Sequence, residues 1–275
     1  MAYRTSAQWE AILDYAASMA EASVVTLRQL HYLCVSNPDL DYRNTESDYK
    51  QLSARTADLR RDGDFPTIAD LTRSITTWQS WASPRKFMES IGDDYSRDYS
   101  EGQETLPVLL YEKATLTGVM DPIAMRYMIP HAALRGYSSE TLDRQIQEVV
   151  DSEDRPVRII YIGDFDADGE DIERNAQEWI DTDEWTRVAV NVEQIDQHGL
   201  APNPGKKLSA RRRAFLEKYG ADIQVEVEAL SPDVLRGLVQ DAILDGWDTE
   251  LSDQIRDEER DERQRLEDFI SEWSE

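Results

Sequence analysis

The strongest constraint on the fold is an apolar run that turns abruptly acidic, at residues 158–172. This segment reads RIIYIGDFDADGEDI, with four consecutive apolar residues before Gly163. Such a run is typical of a strand buried on both faces of a parallel sheet. Acids then alternate at Asp164, Asp166 and Asp168, and a helical pattern follows. Because residues two apart in an extended backbone point to the same side, at least Asp164 and Asp166 are expected to converge beyond the strand.

Converging carboxylates repel one another unless a cation lies between them, and an all-oxygen ligand set favours Mg²⁺ (or Mn²⁺) over zinc. Two other interpretations compete with a metal site. A calcium loop requires a preceding helix and a glutamate at its twelfth position, where this chain has a strand and Asn175. A solvated strand-to-helix turn, with Asp168 near the helix N-cap, explains the acids without a metal.

A second apolar run, VLLYEK at residues 108–113, ends in Glu112. If it forms a neighbouring parallel strand, Glu112 and the Asp164–Asp166 pair face one crevice. Alternating strand and helix patterns continue to an apolar strand predicted at 187–192, which is the rhythm of an α/β fold. Asp196 and Glu226 are further acids of this half, and we interpret both as structural.

A family resemblance rests on motifs in a fixed order: Glu112-Lys113, RGYSS at 135–139 and GDxDxxG at 163–169. Together they resemble a Toprim domain, closest to that of type IIB topoisomerase (topoisomerase VI) A subunits, their meiotic double-strand-break relatives and short bacterial and phage proteins. The resemblance implies that Glu112, Asp164 and Asp166 bind the metal. Asp168 stands where the closest relatives often have an aromatic residue.

The N-terminal part predicts helices that begin at capping residues: Ser6, Thr26, and Asn44 or Thr45. Gly63 would end the third helix. Two helices joined by a turn and followed by an extended stretch at 65–72 predict a winged helix-turn-helix, which can place its second helix in a DNA major groove. A generic helical bundle fits the same pattern.

The second predicted helix contains Arg28 and Tyr32, which lie on one helical face because they are four residues apart. This segment, LRQLHY, resembles the catalytic segment of the same topoisomerase family, in which an arginine precedes the nucleophilic tyrosine by four residues. A phenol with a pKa near 10 is a poor nucleophile at neutral pH, and a neighbouring guanidinium can stabilise the developing charge. A buried core tyrosine is the alternative, but the order of the two segments matches the family.

The net charge of −26 opposes unspecific DNA binding, since such binding depends on neutralising phosphates. The charge is uneven, because residues 241–275 hold fourteen acids against four arginines. Two basic clusters also occur, one at Arg55, Arg60 and Arg61 and one at Lys206, Lys207 and Arg211–Arg213. From them we predict DNA contacts at Arg55, Arg60, Lys206, Lys207 and Arg211, although for either cluster taken alone we favour a solvated helix face.

The domain organisation predicted is a winged-helix, tyrosine-bearing domain at 1–80, a connection at 81–105, a Toprim-like (Rossmann-like) parallel-sheet domain at 106–245 and an acidic C-terminal helix at 246–275. The single cysteine, Cys34, rules out an intrachain disulfide. The sequence has neither a signal peptide nor an apolar run near eighteen residues. We therefore expect a cytoplasmic, nucleoid-associated protein that does not bind membranes, of prokaryotic or phage origin.

The resemblance implies Mg²⁺-dependent cleavage of double-stranded DNA, in which Tyr32 forms a 5′-phosphotyrosyl link and Arg28 steadies the phosphate. It also implies a homodimer in which the tyrosine of one subunit meets the metal site of the other. Because the chain has no Walker loop, a separate ATPase subunit is a further expected partner. The alternatives are a Toprim nuclease that uses water as its nucleophile and a non-catalytic DNA-binding or DNA-mimic regulatory protein.

Overall fold

The computed structural model describes residues 4–69, 77–203, 209–220 and 223–272. Its centre is a four-stranded parallel sheet in the order β2-β1-β3-β4. The strands are β1 (Leu106–Tyr111), β2 (His131–Ala133), β3 (Val157–Ile162) and β4 (Glu184–Ala189). The α/β class and the parallel sheet predicted from the sequence are therefore confirmed.

The two central strands, β1 and β3, are buried along their whole length. Their continuous apolar sequences suit this position, because helices cover both faces of the sheet. The strands pair in register from Leu106–Val157 to Tyr111–Ile162. Both strands consequently end at the same edge of the sheet, and the polar residues that follow them become neighbours.

The helices pack in layers on this sheet and beside it. In chain order they are α1 (Ser6–Ala22), α2 (Leu27–Ser36), α3 (Glu46–Asp62), α4 (Pro84–Asp94), α5 (Thr117–Tyr127), α6 (Glu140–Asp151), α7 (Ala167–Trp179), α8 (Val192–Gln197), α9 (Ala210–Tyr219), α10 (Pro232–Leu244) and α11 (Thr249–Glu272). One face of the sheet packs against α5 and α10, and the other against α6 and α7. A short 3-10 turn, Val227–Ala229, precedes α10.

The N-terminal helices α1, α2 and α3 enclose a core of their own around Ile12, Leu30 and Leu52. Thr26 and Thr45 cap α2 and α3 as predicted, and Gly63 ends α3 with a positive φ of 84°. In contrast, α1 is capped by Thr5 rather than Ser6.

The segment predicted to complete a winged helix lies at 65–72. Ala69 forms one parallel bridge with Thr26, and residues 70–72 lie outside the described part of the chain. What the described residues establish here is a unit of three helices.

Two regions refine the sequence expectation. The predicted connection at 81–105 contains α4, which begins at Ser83-Pro84, a normal helix start. Strand β4 begins at Glu184, three residues before the predicted position. After β4, Val225 forms a single antiparallel bridge with Phe165, and the chain then enters the 3-10 turn.

The acidic helix α11 packs on its own chain, against α4 and the loop that follows it. Glu259 Oε2 accepts a hydrogen bond from the Arg97 amide at 2.8 Å, and Tyr95 Oη donates to Glu262 at 2.6 Å. Within the described ranges, no helix combines the length and the apolar character needed to cross a membrane.

Candidate functional site at the sheet edge

The ends of β1 and β3 bring two predicted metal-binding acids together. Glu112 directly follows β1, and Asp164 lies two residues after β3. Glu112 Oε2 accepts a hydrogen bond from the Asp164 amide at 2.9 Å, and both residues are only 7% exposed. Buried carboxylates require charged or hydrogen-bonding partners, so their remaining contacts decide what they can do.

Asp164 and Asp166 use their carboxylates differently. Asp164 Oδ1 accepts from the Val227 amide at 2.9 Å, and Oδ2 lies 2.7 Å from Lys113 Nζ. Asp166 is the N-cap of α7, and its Oδ1 accepts from the amides of Asp168 and Gly169. Gly169 is needed at this turn, because a Cβ there would lie 2.4 Å from the Asp164 carbonyl oxygen.

Lys113 is the cation at the centre of the cluster. Besides Asp164, its ammonium contacts Glu226 and, at 3.2 Å, Glu228. Burial alone would lower the pKa of Lys113, but the three carboxylates outweigh it and raise that pKa. Burial raises the pKa of Asp164 to about 7 despite the opposing ammonium.

Helix α2 brings Arg28 and Tyr32 to the same cluster. Arg28 Nε lies 2.7 Å from Glu228 Oε2, and Arg28 Nη2 lies 2.6 Å from Glu226 Oε2 and 3.4 Å from Tyr32 Oη. Thr115 Oγ1 donates to the other Glu228 oxygen at 2.7 Å. Tyr32 packs into the sheet core, whereas its helix neighbour Leu30 belongs to the N-terminal core. Consequently α2 is shared between the two cores, and its catalytic candidates face the acids of their own chain.

Burial and the neighbouring charges shift the pKa values of Glu226 and Tyr32. Although burial opposes the shift, Lys113 and Arg28 lower the pKa of Glu226 to about 2. Burial, followed by the Glu226 charge, raises the pKa of Tyr32 to about 12. Both effects disfavour the phenolate, and burial is the larger of the two.

The acids fit a metal only in part. Among the described residues, no group of three or more histidine, cysteine, aspartate or glutamate side chains is arranged to hold an ion. Both Asp164 oxygens are engaged, but the described hydrogen bonds of Glu112 and Asp166 each use one oxygen. Burial raises the pKa of Glu112, and the nearby Asp166 charge adds to the effect. Glu112 and Asp166 thus each keep one carboxylate oxygen that no described hydrogen bond uses.

Helix α9 lies beside the acidic turn because Phe165, between the two aspartates, packs on Phe215 and Tyr219 at centroid distances of 5.3 and 4.9 Å. Arg211 on this helix lies 3.8 Å from Asp168 and 3.0 Å from Asp171. The basic segment that includes α9 is therefore next to the candidate site.

Two other predicted DNA contacts, Arg55 and Arg60, lie elsewhere. Arg55 and Arg60 belong to α3, where Arg55 lies over the Trp9 ring at 4.6 Å and Arg60 Nε donates to the Thr56 carbonyl. Lys206 and Lys207 lie outside the described residues. Arg55 and Arg60 thus lie on a different helix from the Arg28–Tyr32 pair.

Sequence reasoning did not identify Lys113 or Glu228 as site residues, and it assigned Glu226 a structural role. A signal was present, because Glu226 and Glu228 are acids within the otherwise apolar run around Val225, Val227 and Ala229. Acids in such a run need buried partners. The sequence alone could not show that these partners are Lys113 and Arg28.

Compared with known proteins, the chain matches neither a protein-family model nor a curated protein. The Toprim resemblance accordingly stays a prediction from the sequence motifs.

Proposed function

We propose that this chain cleaves double-stranded DNA by tyrosine transesterification, in a Mg²⁺- or Mn²⁺-dependent reaction of the topoisomerase VI A-subunit type. The observation that best supports the proposal is the shared contact with Glu226. Arg28, which touches Tyr32, and Lys113, which touches Asp164, both bind this one carboxylate. The tyrosine–arginine pair and the sheet-edge acids therefore belong to one cluster, although they are far apart in the sequence.

In the proposed reaction, Tyr32 Oη forms a bond to phosphorus and the bond from phosphorus to the 3′ oxygen breaks. The products are a 5′-phosphotyrosyl link and a free 3′ hydroxyl, which takes up a proton as the phenol loses one. Arg28 would hold the phosphate and stabilise its developing charge. Glu112 and Asp166 would hold the divalent ion, which when bound supplies positive charge for the attacking and leaving oxygens.

DNA would approach along α9, where Arg211 and Arg213 are exposed beside the acidic turn. Lys206 and Lys207 precede this helix in the sequence, and we propose them as further phosphate contacts. Contacts of this kind bind phosphates without reading the sequence. We assign the N-terminal helices, as a winged helix-turn-helix, to the contact with the duplex groove.

A homodimer remains the proposed assembly, with one site for each DNA strand. The resemblance implies a site shared between subunits, whereas Tyr32 here contacts its own chain's cluster through Arg28. We therefore assign a complete site to each subunit. A separate ATPase subunit remains a proposed further partner.

The direct test is to incubate supercoiled plasmid with the protein and Mg²⁺ and then to denature the mixture with detergent. We expect nicked or linear DNA with protein attached to its 5′ ends. Tyr32→Phe should remove both the cleavage and the adduct, and Asp166→Asn should remove cleavage. Tyr42→Phe, which alters another buried phenol of the same unit, serves as the matched control and should keep the adduct.

Hydrolysis by water is the second candidate, and the surroundings of Tyr32 favour it. Burial, followed by the Glu226 charge, raises the pKa of Tyr32 to about 12, which works against ionisation of the phenol. If water is the nucleophile, the Tyr32→Phe variant still cleaves DNA. Neither the wild type nor the variant then forms a covalent protein–DNA adduct. DNA binding without cleavage by any variant would instead favour a non-catalytic binding protein.

A further inference from the structure

We propose that Arg28 and Lys113 form the subsite for the phosphodiester beside Tyr32, and that Glu226 occupies this subsite in the closed chain. The inference rests on the proposed function for the identity of its ligand. It adds the group that DNA must displace, and it assigns Lys113 a place in phosphate binding.

The geometry around Glu226 is that of a bound anion. Its Oε2 atom lies 2.6 Å from Arg28 Nη2 and also contacts Lys113 Nζ. The same guanidinium nitrogen lies 3.4 Å from Tyr32 Oη. One acidic oxygen thus bridges a guanidinium and an ammonium directly beside the candidate nucleophile. A non-bridging oxygen of a phosphodiester needs the same two cations and the same neighbour.

Two glutamates bind these cations, but only one of them is placed to leave. The Glu228 side chain is 0% exposed, and it holds Arg28 and Lys113 from the interior while accepting a third hydrogen bond from Thr115. The Glu226 side chain is 19% exposed, and the Arg28 side chain beside it is 44% exposed. Glu226 can therefore swing toward solvent while Glu228 keeps both cations in position.

The exchange conserves charge, because a phosphodiester and a carboxylate each carry one negative charge. Arg28 and Lys113 would remain neutralised throughout, which avoids the large cost of leaving a buried cation without a partner. Glu226 nevertheless competes as an intramolecular ligand, held also by Asn203 Nδ2 at 3.3 Å. The closed state should consequently lower the apparent affinity for DNA by the fraction of molecules in which the subsite is open.

The experiment measures binding without cleavage. A fluorescein-labelled 20-base-pair duplex is titrated with protein in EDTA and followed by anisotropy. Glu226→Gln should bind about tenfold more tightly than the wild type, because the competing anion is removed. Glu148→Gln, which removes one exposed acid from α6, a helix with no proposed DNA contact, controls for the general loss of negative charge and should change affinity less than twofold.

A second arm separates this inference from the proposed function. Inorganic phosphate, compared with chloride at equal ionic strength, should raise the melting temperature of Glu226→Gln more than that of the wild type. The double variant with Glu226→Gln and Arg28→Gln should lose both the tighter DNA binding and the larger phosphate-dependent rise in melting temperature. If these gains occur and no variant ever cleaves DNA, the subsite stands and the proposed reaction fails.

Three results would overturn the inference: no gain in DNA affinity in Glu226→Gln, an equal gain in Glu148→Gln, or a gain that survives the loss of Arg28. If Glu226→Gln does not fold, Glu226→Asp keeps the charge but withdraws the carboxylate by one methylene. It should show a smaller gain in DNA affinity, and an affinity equal to that of the wild type would count against the subsite.

Discussion

The acids of the sheet-edge cluster and the acids of α11 have the same chemistry in different surroundings. Glu228 is fully buried between Arg28 and Lys113, which belong to two other parts of the chain. On α11, pairs such as Arg260–Asp257 lie one helical turn apart, and both side chains are at least 70% exposed. Exposed pairs of this kind contribute little to stability, whereas the loss of one member of a buried group is costly.

Burial, and not the number of acids, decides which of the two regions holds separate parts of the chain together. The long helix α11 carries ten acids against four arginines, yet most of its carboxylates face water. The few acids of the cluster bind α2 to the sheet domain and surround the candidate nucleophile. Glu259 is the exception on α11, because it is only 7% exposed and accepts from the Arg97 amide.

The largest effect expected from this difference is on the free energy of unfolding. Glu228→Gln leaves Arg28 and Lys113 with a single shared acid, so it should lower the free energy of unfolding by about 3 kcal/mol. Glu258→Gln, which removes an exposed α11 acid paired with Arg97 at 2.5 Å, should leave unfolding unchanged. Urea unfolding followed by circular dichroism measures both. Equal destabilisation by the two variants would remove the distinction between the regions.

Metal binding should give the next largest effect. Millimolar Mg²⁺ or Mn²⁺ should raise the melting temperature by roughly 3 to 5 °C, because an ion that binds only the folded state stabilises it. The gain should vanish in Glu112→Gln with Asp166→Asn, a swap that keeps shape and removes charge. It should persist when Glu258 and Glu262 of α11 are changed to glutamine. The reverse pattern would place metal binding on the acidic helix.

A smaller effect concerns pH. The pKa of Glu226 falls from an ordinary 4.5 to about 2 in the folded chain, so its ion pairs stabilise the fold fully above pH 4.5. That contribution should disappear as the pH falls from 4.5 toward 2. The melting-temperature difference between the wild type and Glu226→Gln should therefore shrink over this range. A difference that stays constant with pH would show that the carboxylate charge does not stabilise the fold.

The elements at the centre of the fold were predictable because their signals are local. Continuous apolar runs predicted the buried parallel strands, and Thr26 and Thr45 capped helices where expected. The docking of α2 was not predictable, because it depends on the contact of Arg28 with Glu228, 200 residues away. Hydrophobic periodicity describes which face of a helix is apolar and does not identify the charged partner that the face meets.

In the proposed arrangement, Tyr32 and the sheet-edge acids of the same chain form one site. The most direct test is to co-express Tyr32→Phe and Asp166→Asn chains and to assay the mixed protein on supercoiled plasmid, with the wild type as the positive control. A site built within one chain predicts no nicking, since neither chain contains both groups. Nicking by the mixture, with each variant inactive alone, would show that the tyrosine acts on the partner's acids and would contradict the account.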